Sequence, residues 1–205
     1  MLDERGFDLW ADGYDAAVGL SDESGEYPFA GYRAVLGRIY ETVLRRGAAK
    51  VLDLGFGTAA LTAKLYERGC DIWGQDFSRR MIELAREKMP GAHLFQGDFG
   101  AGLRPEIAAG RYDCIIATYA LHHLDDAGKV RLIGELRGLM NPGGEILIGD
   151  VAFPDRAALE ACRAASGDEW DDDEVYFVCD ELRAAFPELR FEPISHCAGV
   201  IRIKP

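Results

Sequence analysis

Val51-Leu52-Asp53-Leu54-Gly55-Phe56-Gly57-Thr58-Ala59-Ala60 is the stretch from which the fold is read. Lys50 to Leu54 is a short apolar run that stops at Gly55, and Thr58 to Arg68 places Leu61 and Leu65 on one helical face. The segment therefore reads as a strand, a glycine turn and a helix. Gly55 permits the tight turn, and Gly57 lets the backbone approach a ligand closely. A second strand, Asp71 to Gln75, leads to Asp76, twenty-one residues beyond Gly55. An acid about 20 residues past such a turn is placed to accept hydrogen bonds from ribose hydroxyls. A lone Gly-x-Gly turn carries little weight, because many strand-to-helix turns use glycine. The ordered set of strand, turn, helix, strand and acid points to a nucleoside-containing ligand at the carboxyl ends of the strands.

The alternation continues downstream. Ser78 fits as the N-cap of a helix through Met89, with Met81, Ile82, Ala85 and Met89 on its apolar face, and Pro90-Gly91 ends it. Ala92 to Gln96 is a third strand, and Tyr112 to Thr118 is a fourth, nearly all apolar as a strand covered on both faces should be. Lys129 to Met140 reads as a helix, Asn141 to Gly144 as a turn and Glu145 to Gly149 as a fifth strand. Such alternation implies a parallel sheet with right-handed crossovers. Arg190 to His196 and Val200 to Ile203 are joined only by Cys197-Ala198-Gly199, too short for a crossover helix, so they are expected to form an antiparallel hairpin. Phe7 to Val18 and Tyr32 to Arg46 are expected to be helical and to precede the first strand. The reading is an α/β chain with a mostly parallel, seven-stranded sheet, helices on both faces and a C-terminal antiparallel hairpin. One domain is expected: N-terminal helices and a lid over 1–48, a cofactor-binding core over 49–150, and an acidic loop, a helix and the hairpin over 151–205.

Composition narrows the function. The 205 residues are 48% apolar and 28% charged, enough to bury a core without disulfides or metal. Twenty-three Lys and Arg against 35 Asp and Glu give a net charge of −12, which argues against binding nucleic acid or an anionic membrane surface. No segment approaches a transmembrane length of apolar residues, and Met1-Leu2-Asp3-Glu4-Arg5 does not begin a signal peptide. Cys70, Cys114, Cys162, Cys179 and Cys197 are scattered, so reduced, buried thiols in a cytoplasmic protein are expected. Gly19 to Gly31 and the acidic stretch Ser166 to Glu174 interrupt the pattern as surface loops or lids. The acidic run reads first as a solvated face, with Trp170 inside it as a weaker substrate-side candidate.

The turn also satisfies Gly-x-Gly-x-x-Ala, so a nicotinamide dinucleotide has to be weighed. Asp53, two residues before Gly55, suits a cationic group and would repel a pyrophosphate. Gly97-Asp98-Phe99 follows the third strand, where Asp98 can accept from an exocyclic amine and Phe99 can stack on a base. No Tyr-x-x-x-Lys pair is present to relay a proton in short-chain dehydrogenase fashion.

Asp53-x-Gly55-x-Gly57, then Asp76, Gly97-Asp98-Phe99 and Tyr112-Asp113, resemble the ordered motifs of the class I S-adenosylmethionine-dependent methyltransferases, whose final antiparallel hairpin is similar too. More narrowly, Trp10 to Asp15, Gly55 to Thr58, Tyr119 to Leu124 and Tyr176 to Leu182 resemble the YrrT-like small bacterial methyltransferases. The resemblance covers most of the chain. One departure is Ala59, where many members have a third glycine; alanine is small, and no loss of binding is expected.

The resemblance implies the Rossmann-like class I fold, S-adenosylmethionine as cofactor, and methyl transfer to a small-molecule acceptor. It implies that Gly55 and Gly57 line the methionine part and that Asp53 holds its ammonium, directly or through water. Asp76 would bind the ribose diol, with Phe77 beside the adenine and Met81 in the same set. Asp98 would accept from the adenine amine, Phe99 would pack on the ring, and Tyr14 would close over the methionine end. The catalytic candidates are Tyr119, His122 and His123, which follow the fourth strand. Histidine has a suitable pKa for a base, although two adjacent histidines are not expected to face one site. Asp150 is a weaker substrate-side candidate. The His pair with Asp150 matches no metal-ligand spacing, so no metal is expected. Two other readings remain: a non-catalytic S-adenosylmethionine-binding module and a nicotinamide dinucleotide oxidoreductase. The acceptor is expected to be neutral or cationic, and the protein a monomer or homodimer without nucleic-acid or membrane partners.

Overall fold

The structure is a computed structural model that describes residues 25–47 and 49–204. The expected helix Phe7 to Val18, and Tyr14 within it, lie outside the described residues. The elements run α1 (Tyr32–Leu44), β1 (Lys50–Leu54), α2 (Thr62–Glu67), β2 (Asp71–Asp76), α3 (Arg79–Lys88), β3 (His93–Gln96), α4 (Pro105–Ala108), β4 (Tyr112–Thr118), a 3-10 turn at Leu121–His123, α5 (Asp126–Arg137) and β5 (Met140–Phe153). They end with α6 (Arg156–Ser166), a second 3-10 turn at Gly167–Glu169, β6 (Phe177–Val178), α7 (Cys179–Leu182), β7 (Arg190–Pro193) and β8 (Ala198–Ile203).

The sheet order is β3-β2-β1-β4-β5-β8-β7. β1 to β5 are parallel, and β8 is inserted antiparallel between β5 and β7. These are the seven strands of the sequence reading. The two-residue β6 is an eighth, pairing in parallel with Ala152 and Phe153 at the end of β5.

Alternation along each strand builds two cores, because successive side chains point to opposite faces. Val51, Cys114, Ile116, Leu147, Val151 and Val200 pack with Val35 and Ile39 of α1, Leu65 of α2 and Ile82 of α3. Leu52, Leu54, Ile115, Ile146, Ile148 and Ile201 pack on the other face with Leu132, Ile133 and Leu136 of α5. All five cysteines are buried and free.

The departures from the sequence reading have local causes. The helix expected from Thr58 begins at Thr62, since Gly57 and Ala59 both take positive φ, 53° and 62°, and hold the chain out of the helical region until Leu61. α5 begins three residues early because Asp125 caps it, its Oδ1 accepting from Gly128 N at 2.7 Å. β5 is longer than expected at both ends. The turn Asn141 to Gly144 is looped out between the pairs Tyr112↔Met140 and Cys114↔Glu145, and β8 holds β5 straight past Gly149 as far as Val151. Strand β7 ends at Pro193, short of the expected His196.

Candidate active site

In an open α/β sheet, ligands bind beyond the carboxyl ends of the strands, where the strand order reverses. Here that point lies between β1 and β4. A cavity of about 740 Å³ lies there, with a wall drawn from the ends of β1 to β4 and from the 169–176 segment.

On the β1–β3 side the walls come from three turns. Gly55 has φ 71°, and a Cβ there would stand 2.5 Å from the Ala120 Cβ. Gly57 has φ 53°, and a Cβ there would meet nothing within 4 Å. The second glycine thus leaves a bare backbone edge on the cavity. Asp76 closes the turn: its Oδ2 accepts from Gly57 N at 2.8 Å and its Oδ1 from Ser78 N at 2.9 Å. Ser78 caps α3 as expected, accepting from Met81 N at 3.1 Å. Asp98 accepts from Gly100 N through Oδ1 at 2.7 Å. Gly55, Gly57, Asp76, Phe77, Met81, Asp98 and Phe99 all border the cavity.

Asp53 does not border it. The carboxylate is 1% exposed and lies beneath Thr62, whose hydroxyl donates to Oδ2, while Oδ1 has no hydrogen-bond partner among the described residues. Burial pushes its pKa up to about 7, against the pull of the Thr62 hydrogen bond and with a further push from Asp76. Thr62, which sequence reasoning missed, forms that part of the wall.

On the β4–β5 side, Tyr119, His122 and His123 all border the cavity. Tyr119 has φ 49°, a backbone strained for a bulky residue, and its ring is packed against Phe29 and Tyr32 at centroid distances of 5.4 and 5.0 Å. The two histidines do face one site, contrary to expectation. They sit in a 3-10 turn rather than at the start of an α-helix, with rings 4.2 Å apart at 66°. His122 Nδ1 is 2.6 Å from Asp150 Oδ1, and His122 Nε2 is 3.4 Å from Glu174 Oε1. His123 Nδ1 is 4.0 Å from the same Glu174 oxygen. Burial alone would lower the His122 pKa; the Asp150 charge and hydrogen bond, with Glu174, outweigh it and raise the value above 6.5. Burial, then the neighbouring His122, pushes His123 down to about 4.

Asp150 is fully buried and not on the wall; its reach is through His122 and through the backbone N–H groups of Leu121 and Val151. Trp170 is also off the wall. It stacks on Tyr27 at 5.1 Å and meets Tyr176 edge-on at 5.0 Å, anchoring the acidic segment. The segment itself is not simply a solvated face, since Glu169, Asp171, Asp173 and Glu174 border the cavity. Glu174 was the least legible of these, because it sits in a run of similar acids and only its fold neighbours single it out.

A family model for a methyltransferase domain matches residues 51–144. An uncharacterized methyltransferase of Geobacillus kaustophilus is 38% identical over 193 residues, covering 90% of this chain and 86% of that protein. The chain belongs to the class I S-adenosylmethionine-dependent methyltransferases. Another uncharacterized methyltransferase, from Anoxybacillus flavithermus, is 38% identical over 155 residues, 76% of this methyltransferase and 70% of the relative. Among solved structures, the DhpI-SAM-HEP complex superposes with a TM-score of 0.69 at 19% identity, over 97% of this chain and 94% of that one. Magnesium protoporphyrin IX methyltransferase from Synechocystis, with bound SAH, gives 0.68 at 16%, over 86% and 85%. The likeness to these two places the methyltransferase in the same fold. No helix among the described residues is long and apolar enough to cross a membrane.

Proposed function

We propose that this methyltransferase binds S-adenosylmethionine along the β1–β3 side of the cavity and a small, neutral or cationic acceptor on the β4–β5 side. The observation that carries the reading is the continuity of one cavity from the Gly57 edge and Asp76 to the two histidines. The residues on the first side fit the donor. Asp76 sets a carboxylate, the acceptor that ribose hydroxyls need, on the cavity wall beside the Gly57 edge. Phe77 and Phe99 offer apolar faces for adenine, and Asp98 an acceptor for its amine. The orphaned Asp53 oxygen beneath Thr62 gives an ammonium a counter-charge reached through Thr62 or water. Tyr14 belongs to the same proposal.

Bound S-adenosylmethionine supplies a methyl group already activated by its sulfonium. The protein's part is alignment and exclusion of water. His122, held by Asp150, with His123 and Tyr119, orients the acceptor and provides for the loss of its proton where the nucleophilic atom carries one. The acids of 169–174 give that side a negative lining, which supports a neutral or cationic acceptor over a polyanion.

The experiment is calorimetry with S-adenosylhomocysteine on the wild type and on Asp76→Ala. Saturable binding is expected, weakened in the variant by about 1–3 kcal/mol through loss of charge-assisted bonds. Absence of binding at millimolar ligand overturns the donor site, and unchanged affinity in the variant overturns the ribose assignment.

A further inference from the structure

His122, His123 and Glu174 converge on a single point of the cavity wall, and the chain around them is built to hold that convergence. The three potential ligand atoms all lie within 4.8 Å of one another. A tetrahedral ion with bonds of about 2.0–2.1 Å separates its ligands by roughly 3.3–3.4 Å. His122 Nε2 and Glu174 Oε1 are 3.4 Å apart, and His123 Nδ1 is 4.0 Å from that oxygen, about half an ångström from the same spacing.

The surroundings match what metal-ligating side chains need. A histidine ligand usually has its other ring nitrogen tied to a carboxylate, which fixes ring and tautomer. The fully buried Asp150 does this for His122 through Nδ1 at 2.6 Å, leaving Nε2 turned to Glu174 and the cavity. The second oxygen of Glu174 is held in turn, accepting from the Tyr176 hydroxyl at 2.8 Å. The acidic segment is locked to the histidine turn, since Val175 N donates to His122 O at 2.9 Å. The buried Lys129 ammonium donates to Val175 O at 2.5 Å.

We propose that His122, His123 and Glu174 bind one divalent first-row transition metal ion, with zinc as the best match to two imidazoles and a carboxylate. This departs from the sequence expectation of no metal, which weighed the histidines with Asp150 rather than with Glu174. Three protein ligands would leave a coordination position for the acceptor, and all three residues line the cavity. Resting on the proposed methyl transfer, that position takes the lone pair of a hydroxyl- or thiol-bearing acceptor. The imidazoles then serve through the metal and not as bases, and coordination releases the acceptor proton to solvent. The anion then attacks the sulfonium methyl carbon, and the C–S electron pair returns to sulfur.

The test uses the full chain stripped by a chelator and titrated with cobalt(II) chloride, without donor or acceptor. One equivalent of cobalt is expected, with visible absorption of low-coordinate geometry, displaced by zinc(II) chloride. Glu174→Gln and His123→Ala, both at partly exposed side chains, are each expected to weaken cobalt binding at least tenfold. Asp150→Asn should weaken it about 10–100-fold, as loss of an outer-shell partner does. No stoichiometric binding overturns the site, as does binding unchanged in both ligand variants. Calorimetry with S-adenosylhomocysteine on the same samples keeps the two readings apart. Donor binding without cobalt binding sinks the metal site alone, and cobalt binding without donor binding sinks the donor site alone.

Discussion

At the scale of single residues, two positions are unusual, one in the glycine turn and one in the strand before it, and each makes a prediction. Ala59 is fully buried with φ 62°, a conformation in which an alanine Cβ crowds the backbone. Glycine adopts it without strain, which gives a physical reason for the third glycine that many family members carry there. Ala59→Gly is expected to stabilise the protein by about 1 kcal/mol, read as a raised urea midpoint with unchanged slope; a lowered midpoint refutes the strain. Asp53 is a carboxyl whose folded pKa, about 7, lies above its ordinary 3.8. Its contribution is therefore undiminished below pH about 4 and becomes a growing cost from there towards pH 7, where the unfolded chain's carboxyl is ionised and the buried one still holds its proton. Asp53→Asn carries no such cost. In the donor-free protein the variant's melting temperature should gain on the wild type between pH 5 and pH 8, while its affinity for S-adenosylhomocysteine falls. A melting difference independent of pH would show that Asp53 is not held above its ordinary value.

At the scale of elements, close approach rather than propensity sets the packing over the site. Gly149 lies in β5 directly under α1; a Cβ there would stand 2.4 Å from Val35 Cγ1 and 2.8 Å from Ile39 Cδ1. Gly149→Ala should push α1 off the sheet and destabilise by about 1–3 kcal/mol, measured by chemical unfolding. A neutral result would show that α1 has room to shift. The same contact shows what the sequence could and could not disclose. Strands β1 and β4 were legible to the residue, because a strand buried on both faces is a nearly continuous apolar run, broken here only by Asp53 and Asp113, with glycine or polar residues at its ends. Ser78 was legible as a cap because its hydroxyl acts locally. Asp125 is not legible as a cap, since Asp125-Asp126 resembles a loop and the helix period is clear only from Lys129. Gly149 reads as an ordinary end of strand, for nothing local tells that a helix from 110 residues upstream will lie on it. The site divides in the same way. Gly55, Gly57, Asp76 and Asp98 are read from spacing along the chain, whereas Glu174, Thr62 and the aromatic wall of Phe29 and Tyr32 come from segments that only folding brings together.

At the scale of the molecule, one ion cluster ties both ends of the described chain to the middle of the sheet. Glu145, 2% exposed in β5, accepts from Arg46 Nε at 3.1 Å, just beyond α1, and from Arg202 Nε at 2.9 Å on β8. Burial raises the Glu145 pKa, and the hydrogen bonds from Arg202 and Arg46 more than offset it, leaving it below 4.5. A depressed carboxyl lends its stability above the ordinary pKa and loses it as the pH falls through the folded value. Glu145→Gln keeps the shape and removes the charge. With the arginine side chains 28% and 34% exposed, and their charges partly solvated, the cost should be about 1–3 kcal/mol at neutral pH. The overall net charge of −12 acts the other way, since acid relieves repulsion among the other carboxylates. Wild type and variant share that relief, so it cancels in their difference. The gap in unfolding free energy should therefore hold from pH 7 down to about pH 4.5 and close below it. A gap that persists undiminished at about pH 3 would show that the cluster holds the sheet by shape and not by the charge on Glu145.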